Sequence, residues 1–365
     1  MEIAKFKKFF YKKKILITGH TGFKGSWLCL ILHSLNCKVI GFSKDIPTKP
    51  SFFEICNIKK KISKHKFGDI CNFKKLDDFI KKTRPEIIIH LAAQPIVRKS
   101  YDIPYQTFIS NTLGTLNVLE SVRINKFIKS SLIITTDKVY KNLETKKKFT
   151  EQDELGGDDP YSSSKSSAEL IVQSYISSFF IKKNIKVVTA RSGNIIGGGD
   201  FAEDRIVPDF FKSLKCKKKL IVRNPEATRP WQNVLDSLFG YLILLYRLNT
   251  FNNFKNFPKS WNFGPMSNSE KNIKELINSL QKINKKKIRI FYMKKKQLNK
   301  KESKFLRLNS SQAKKYLNWR PIFNFNQNIS FVNSWYINYI NKRNMIDYSL
   351  KQIDFYFKKL FKRFN

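Results

Sequence analysis

Short apolar runs alternate with longer stretches of helical period through the first half of the chain. Residues 15–17 form the first apolar run, and an apolar helical stretch, 26–35, follows after a few polar positions. A second strand is predicted at 37–42, a third at 64–70, and a helix at 73–82. The run 86–91 is almost unbroken in apolar character, as expected of a strand covered on both faces of a parallel sheet. A helix at 105–122, a strand at 131–136, a helix at 161–181 and a strand at 185–191 continue the alternation. Strand and helix in strict turn predict an α/β fold, a doubly wound parallel sheet with right-handed crossovers.

After Arg191 the regularity falls. The glycine-rich segment 193–200 and the prolines 208, 225 and 230 predict a smaller, loop-rich second domain. A helix at 233–248 and a strand near 261–265 read as returning to the first. The division expected is therefore 14–192 with 233–263 for the larger domain, and 193–232 with 264–340 for the smaller. Residues 341–365, basic and aromatic without clear caps, read as a surface helix or a loose tail.

The polar interruption after the first strand contains three glycines, Gly19, Gly22 and Gly25. Between strand and helix, the first glycine suits a tight turn, the second lets a pyrophosphate approach the backbone, and the third lets helix and strand pack closely. Free N–H groups at the helix N-terminus then face the phosphates. This makes the sheet Rossmann-type and the ligand a dinucleotide. His20 lies in the loop, where it either approaches phosphate or contacts backbone.

Composition narrows the picture. The 365 residues are 41% hydrophobic and 14% aromatic, suiting a globular protein with a sizeable core. No apolar run is long enough for a membrane span, and no signal-peptide pattern follows the basic N-terminal segment, so a cytoplasmic location is expected. The formal charge of +42 invites a nucleic-acid reading. The excess is mostly Lys spread along the whole length, which fits a solvated basic surface and excludes an organised base-reading element. Five cysteines without a CxxC pair and four scattered histidines indicate neither a disulfide framework nor a metal site.

Candidate chemistry sits at the predicted strand ends, where open α/β sheets bind ligands. Small Ala92 and Ala93 end the fourth strand and leave room for a flat ring, or serve packing. Polar Thr136, Asp137 and Lys138 follow the fifth. Tyr161 and Lys165 lie one helical turn apart and so on one face. A cation there is expected to lower the phenol's pKa. The same spacing recurs at Tyr292 and Lys296, on a basic strand; Tyr161 is preferred because it opens the helix after strand five.

Together these motifs resemble the extended short-chain dehydrogenase/reductase superfamily. Within it, 19–27, 45–51, 90–95, 156–161, 193–200 and 223–232 are similar to the CDP-glucose 4,6-dehydratases, over about 14–321. The resemblance implies bound NAD at Gly19, Gly22, Phe23, Gly25, Asp45, Asp69, Ile70, Ala92, Ala93, Tyr161 and Lys165. It implies a nucleotide sugar, CDP-glucose, held by Gln94, Asn194, Arg205, Arg223 and Arg229, with no metal. The reaction implied is a step of deoxysugar biosynthesis. Tyr161, helped by Lys165 and Thr136, takes the proton of the 4-hydroxyl as hydride leaves C4; water is then lost across C5 and C6. Asp137 acts as acid and Lys138 stands where related dehydratases place a base. A 4-epimerase or a dehydratase of another nucleotide sugar is the alternative, and a basic nucleic-acid-binding protein a more distant one. The superfamily implies a homo-oligomer, dimer or tetramer, through the helices at 105–122 and 161–181. Departures from the family pattern are Thr136 for Ser, Val139 for Cys, Ser163 for Asn, and Asn233 for an expected His.

Overall fold

A computed structural model describes residues 2–145, 147–293 and 305–364. Lys296 of the second Tyr–Lys spacing and residues 294–304 of the expected second domain lie outside them. In chain order, helix α1 (Ile3–Phe10) precedes β1 (Lys14–Thr18), α2 (Phe23–Ser34), β2 (Lys38–Ser43) and β3 (Lys64–Phe67). Then come α3 (Phe73–Thr83), β4 (Ile87–His90) and a series of helical turns that runs, through a π-turn at Ile109–Leu113, into α4 (Gly114–Ile124). The strand β5 (Ser130–Ile134), helix α5 (Pro160–Tyr175) and strand β6 (Lys186–Ser192) complete the alternation.

Why these segments order as they do follows from burial. Ile87, Ile88 and Ile89 of β4 are inaccessible on both faces, as the unbroken apolar run requires. Leu16 and Ile88 face one core with Val118 and Leu119 of α4, while Ile15, Ile17 and Ile89 face the other with Leu28 and Leu32 of α2. The side-chain period of two thus sends alternate residues to opposite helical layers. Predicted strand three extended to residue 70; it ends at Phe67, because Gly68 and the Asp69 corner turn the chain toward α3.

The chain then leaves the sheet. It forms β7 (Ile195–Ile196), α6 (Ile206–Cys216), β8 (Leu220–Val222), β9 (Thr228–Pro230) and β10 (Gln232–Asn233) before α7 (Val234–Thr250) and β11 (Ser260–Phe263). β11 pairs parallel with β6, giving a seven-stranded sheet ordered β11-β6-β5-β4-β1-β2-β3. Two more strands, β12 (Glu270–Asn272) and β13 (Ile290–Tyr292), flank α8 (Ile273–Asn284); β12 pairs with β9 and β13 with β8. The last long helices are α9 (Phe325–Ile340) and α10 (Met345–Phe361).

The C-terminal segment differs from its expected form. Asn344 caps α10 by accepting the Asp347 amide, and Ile353, Tyr356, Leu360 and Phe361 are buried in the main core. Phe6 of α1 packs against Phe361, so the basic, aromatic ends are core elements with a solvated lysine face. The Tyr356 hydroxyl donates to Asp236 Oδ1 at 2.7 Å, and the Ile322 amide donates to the same oxygen at 2.7 Å. Burial pushes the Asp236 carboxyl up to about 7, against the pull of those donors.

An acid raised this way favours its neutral form in the native state. The unfolded chain therefore loses that proton first, near pH 4, and stability falls as pH rises from there toward 7. Asp236→Asn, which keeps an acceptor for both donors, should match the parent near pH 4 and exceed it above pH 7. Melting temperatures of the two proteins across that range check this; a constant difference would contradict it.

Candidate active site

At the end of β1 the glycine loop is fixed by close backbone approaches. Gly19 has φ +75°, and a Cβ on it would lie 2.7 Å from the Ala92 amide nitrogen. At Gly25 a Cβ would lie 2.1 Å from the Gly19 carbonyl oxygen. Gly22 differs: the nearest atom to its added Cβ is that same oxygen at 3.4 Å, so its outer side faces open space. Gly22 is also the N-cap of α2 and supplies no side-chain acceptor, leaving the first-turn N–H groups directed at that space. These features fit a pyrophosphate lying over the loop.

His20 takes the packing role. It is buried beneath the loop with Nδ1 2.8 Å from Ser43 Oγ, and burial together with nearby His65 pulls its imidazole down to about 3. Thr21 Oγ1 donates to the Asp45 carbonyl at 2.6 Å, which holds that corner while the Asp45 carboxylate is exposed. Asp69 accepts the Cys71 amide at 2.9 Å and pairs with Lys44 at 3.0 Å; Ile70 is buried against Gly114. The Ala92 amide donates to Thr18 Oγ1 at 3.3 Å, and Ala93 is half-buried beside it.

Beyond β5, Thr136 caps a short helical turn and its hydroxyl donates to Asp137 Oδ1 at 3.0 Å. Lys138 Nζ lies 3.3 Å from the same oxygen, so the lysine is turned toward the acid. Asp137 Oδ2 is buried and has no hydrogen-bond partner among the described residues. Tyr161 opens α5 and is buried; its environment departs from expectation. Burial pushes the phenol up to about 12, the Thr136 hydroxyl and Arg205 pull it down, and Asp137 pushes it up. The Lys165 ammonium is buried one turn along the helix and donates to the Ile134 carbonyl at 3.2 Å. Burial pulls Lys165 itself down to about 8, with Glu169 opposing.

Tyr161, Lys165 and Glu169 repeat every four residues on one face of α5. Glu169 receives Arg191 Nε and Nη2, each at 2.9 Å, and the hydroxyls of Thr135 and Thr189 at 2.5 and 2.9 Å. Burial opposes its charge, yet Arg191 and the two hydroxyls hold the carboxyl below the usual range. Arg191 continues to Tyr140, which donates to Asn262 of β11 at 2.7 Å. The helix that carries Tyr161 and Lys165 is in this way bolted to β5, β6 and β11.

A cavity of about 290 Å³ runs from Thr136, Lys138 and Tyr161 to the second part of the chain, and Phe23, Asn194, Arg205, Arg223 and Arg229 line it. Asn194 Oδ1 is buried and has no partner among the described residues, so it is an acceptor that a ligand in the cavity could use. Arg205 pairs with Asp200 at 2.8 Å, Arg223 pairs with Asp204, and buried Arg229 donates to the Thr228 carbonyl at 3.0 Å. Gln94 does not face the cavity: its amide bonds Ile96 N, Ile96 O and Thr107 Oγ1, holding its own loop. Asn233 is likewise structural, capping α7 through Leu235 N and donating to Asn328 at 2.8 Å.

Lys24 was missed. It lies on the first turn of α2 and lines the cavity; burial pulls it down to about 7, with Lys165 and Arg205 adding and Asp137 and Asp200 opposing. Its signal was the charge itself, a lysine at the start of an otherwise apolar helix. Glu169, two turns after Tyr161, and Asp209, within the cavity wall, were also overlooked.

The family model for GDP-mannose 4,6 dehydratase matches residues 16–331. A CDP-glucose 4,6-dehydratase from Salmonella typhimurium is 37% identical over 96% of this chain and 98% of its own length. The chain belongs to the GDP-mannose 4,6 dehydratase family. Within the family, a dTDP-D-glucose 4,6-dehydratase from Dictyostelium discoideum is 31% identical over 64% of this chain, which spans 55% of that protein. Among solved structures, dTDP-glucose 4,6-dehydratase from Bacillus anthracis in complex with NAD superposes with a TM-score of 0.75 at 24% identity, covering 92% of this chain and 99% of that one. That likeness establishes the family's fold for this chain.

Two substitutions test the loop. Gly25→Ala should lower the melting temperature sharply, whereas Gly22→Ala should fold like the parent because its Cβ has room. Equal melting temperatures for the two variants would contradict the reading. The buried pair gives a second test: Glu169→Gln leaves the Arg191 charge under-compensated and should cost about 3–5 kcal/mol. Urea denaturation measures it, and a loss below about 1 kcal/mol would show the pair to be dispensable.

Proposed function

We propose that the chain is an NAD-dependent CDP-glucose 4,6-dehydratase, a hydro-lyase forming CDP-4-keto-6-deoxyglucose and water. The observation that carries this reading is the lining of one cavity at the end of β5 by Thr136, Lys138 and Tyr161, with Asp137 buried behind it and bonded to Thr136 and Lys138. The near full-length relationship to the Salmonella enzyme supports the cytidine sugar. NAD would lie over Gly19, Gly22, Phe23 and Gly25, with Asp45 near its ribose, Asp69 and Ile70 near its adenine, and Ala92 and Ala93 beside its nicotinamide end. When bound, it supplies a hydrogen acceptor for C4 and a donor for C6.

The chain's own groups move the protons. Tyr161 receives the proton of the sugar 4-hydroxyl, and Thr136 shares the hydrogen bond at that oxygen. Because burial pushes the phenol up, proton removal depends on Arg205 and on the contacts that substrate brings. For the elimination, the Asp137–Lys138 pair needs one rearrangement. A proton crossing their 3.3 Å contact leaves Asp137 neutral and Lys138 a free amine. Lys138 then takes the C5 proton, the C6–O bond breaks, and Asp137 gives its proton to the departing hydroxyl, which leaves as water. The charged pair is restored. Asn194, Arg205, Arg223 and Arg229 hold the nucleotide diphosphate, the guanidinium fork suiting phosphate oxygens.

Among the described residues no helix is long and apolar enough to cross a membrane. We infer a cytoplasmic enzyme whose dispersed lysines bind nucleic acid only weakly and without sequence preference. A dimer or tetramer through the helices preceding and including α4 and α5 is supported by the exposed side chains of Tyr105, Phe108 and Leu170 there.

Incubation with CDP-glucose should yield a product lighter by one water, read by mass spectrometry; unchanged mass would favour a 4-epimerase. Asp137→Asn should slow water loss by ~10²–10⁴-fold. Recovered CDP-glucose from that variant should take up less deuterium at C5 in heavy water than with the parent, because the new amide cannot accept the Lys138 proton. Tyr161→Phe should stop both processes, and an Asp137→Asn variant dehydrating at the parent rate would remove Asp137 as the acid.

A further inference from the structure

The acid of the elimination step does not itself line the cavity. Asp137 is fully buried, and its two oxygens face different neighbours. Oδ1 receives the Thr136 hydroxyl at 3.0 Å and lies 3.3 Å from Lys138 Nζ. Oδ2 is buried and has no hydrogen-bond partner among the described residues. Gly193, which follows β6 and lines the cavity, abuts this second oxygen. A Cβ on Gly193 would lie 2.8 Å from Oδ2, 3.5 Å from the carboxyl carbon and 3.0 Å from Pro230 Cγ. Carbon atoms in contact settle at about 3.5–4.0 Å, so the approach to Oδ2 leaves no room for a methyl group unless the carboxyl moves. Gly193 lies outside the positive-φ region that would itself demand glycine, so the requirement here is clearance.

This division of the carboxyl matters for the proton. In the elimination a proton crosses from Lys138 to Oδ1, and the departing hydroxyl takes it from the cavity side. A half-turn about the Cβ–Cγ bond carries the protonated oxygen from the Lys138 side to the Gly193 side. No bond is made or broken in that turn. The O–H bond of Asp137 breaks only when the hydroxyl takes the proton, as the C6–O bond parts. We infer that Gly193 is a positioning residue for the elimination: its missing side chain lets the Asp137 carboxyl lie against the cavity wall and turn there. The inference rests on the dehydratase reading, which makes Asp137 the acid. The unpartnered Oδ2 fits the role, because a buried carboxylate oxygen without a donor is costly and calls for an explanation. A methyl group at Gly193 would displace the acid from the departing hydroxyl while leaving Thr136, Tyr161 and the arginines in place.

A double-mutant cycle on turnover tests this. The parent, Gly193→Ala, Asp137→Asn and the double variant are compared with CDP-glucose and NAD. Mass spectrometry reads water loss, and melting temperatures check that each protein folds. Gly193→Ala should lower kcat for water loss by about 10- to 100-fold, the scale of a misplacement of about 1 Å, with KM changing less than about threefold. Added to Asp137→Asn, the same substitution should cost less than about twofold, because the acid it displaces is already disabled. A structural disturbance of the pocket would instead slow both backgrounds by the same factor, and that result would overturn the inference. So would Gly193→Ala working at the parent rate. If Gly193→Ala does not fold, the substitution is made together with Pro230→Ala, which removes the other close contact, and is compared with Pro230→Ala alone in both backgrounds. A parent that releases no water removes the dehydratase reading and this role together. A working parent with equal losses in both backgrounds removes the role alone.

Discussion

The orientation of Tyr161 and Lys165 hangs on the buried pair between Glu169 and Arg191. A carboxylate and a guanidinium withdrawn from water cost several kcal/mol each in solvation, which only good geometry and further hydrogen bonds offset. Here both conditions hold: the contact is bidentate, and two threonine hydroxyls fill the remaining acceptor sites of Glu169. Because Glu169 lies two turns along α5 from Tyr161, fixing it to β6 fixes the rotation of the whole helix. The phenol and the lysine one turn apart then share one direction. A hydrophobic replacement of similar volume would fill the space without setting that rotation, so the pair is best understood as a positioning device.

The same low-dielectric setting governs the cavity. Lys24, Lys165 and Arg205 crowd with Asp137 and Asp200, and burial weakens both of the lysines as cations. Charges of both signs at close quarters make the site responsive to whatever anion enters. Phosphate groups would restore the lysines to their charged state and repay part of the cost of burying them. The dispersed surface lysines act at longer range, where salt screens them, and add to the rate of encounter rather than to the fit.

Much of this was legible from residue pattern alone. Alternating apolar runs predicted the sheet because each strand's covering is a local property, and β4 announced its double burial by three consecutive isoleucines. Gly19 and Gly25 were legible because their spacing reflects backbone clearance that a Cβ would fill. What escaped depended on distance through the chain. The direction of the Gln94 amide, the capping use of Asn233 and the crowding of Lys24 depend on segments far away in sequence. The Tyr–Lys spacing was read correctly as one face, yet Arg205, which also acts on the phenol, approaches from the second part of the chain. The final segment read as a surface helix or a loose tail because its lysines dominate the composition, whereas the apolar stripe that buries it is visible only at helical period.

The detour between β6 and β11 has a kinetic meaning. The edge of the sheet at β6 is closed by a strand that arrives only after residues 193–259 have folded back on themselves. Loop closure of that length must be accomplished before the pairing repays it, and parallel pairings of high sequence separation form slowly. Until then β6 presents unpaired N–H and C=O groups along a strand whose residues from Val187 onward are buried in the finished protein. Such an edge is a template for pairing with another chain. Refolding yield should consequently be limited by capture at this edge, at concentrations where a second molecule reaches β6 before its own β11 does.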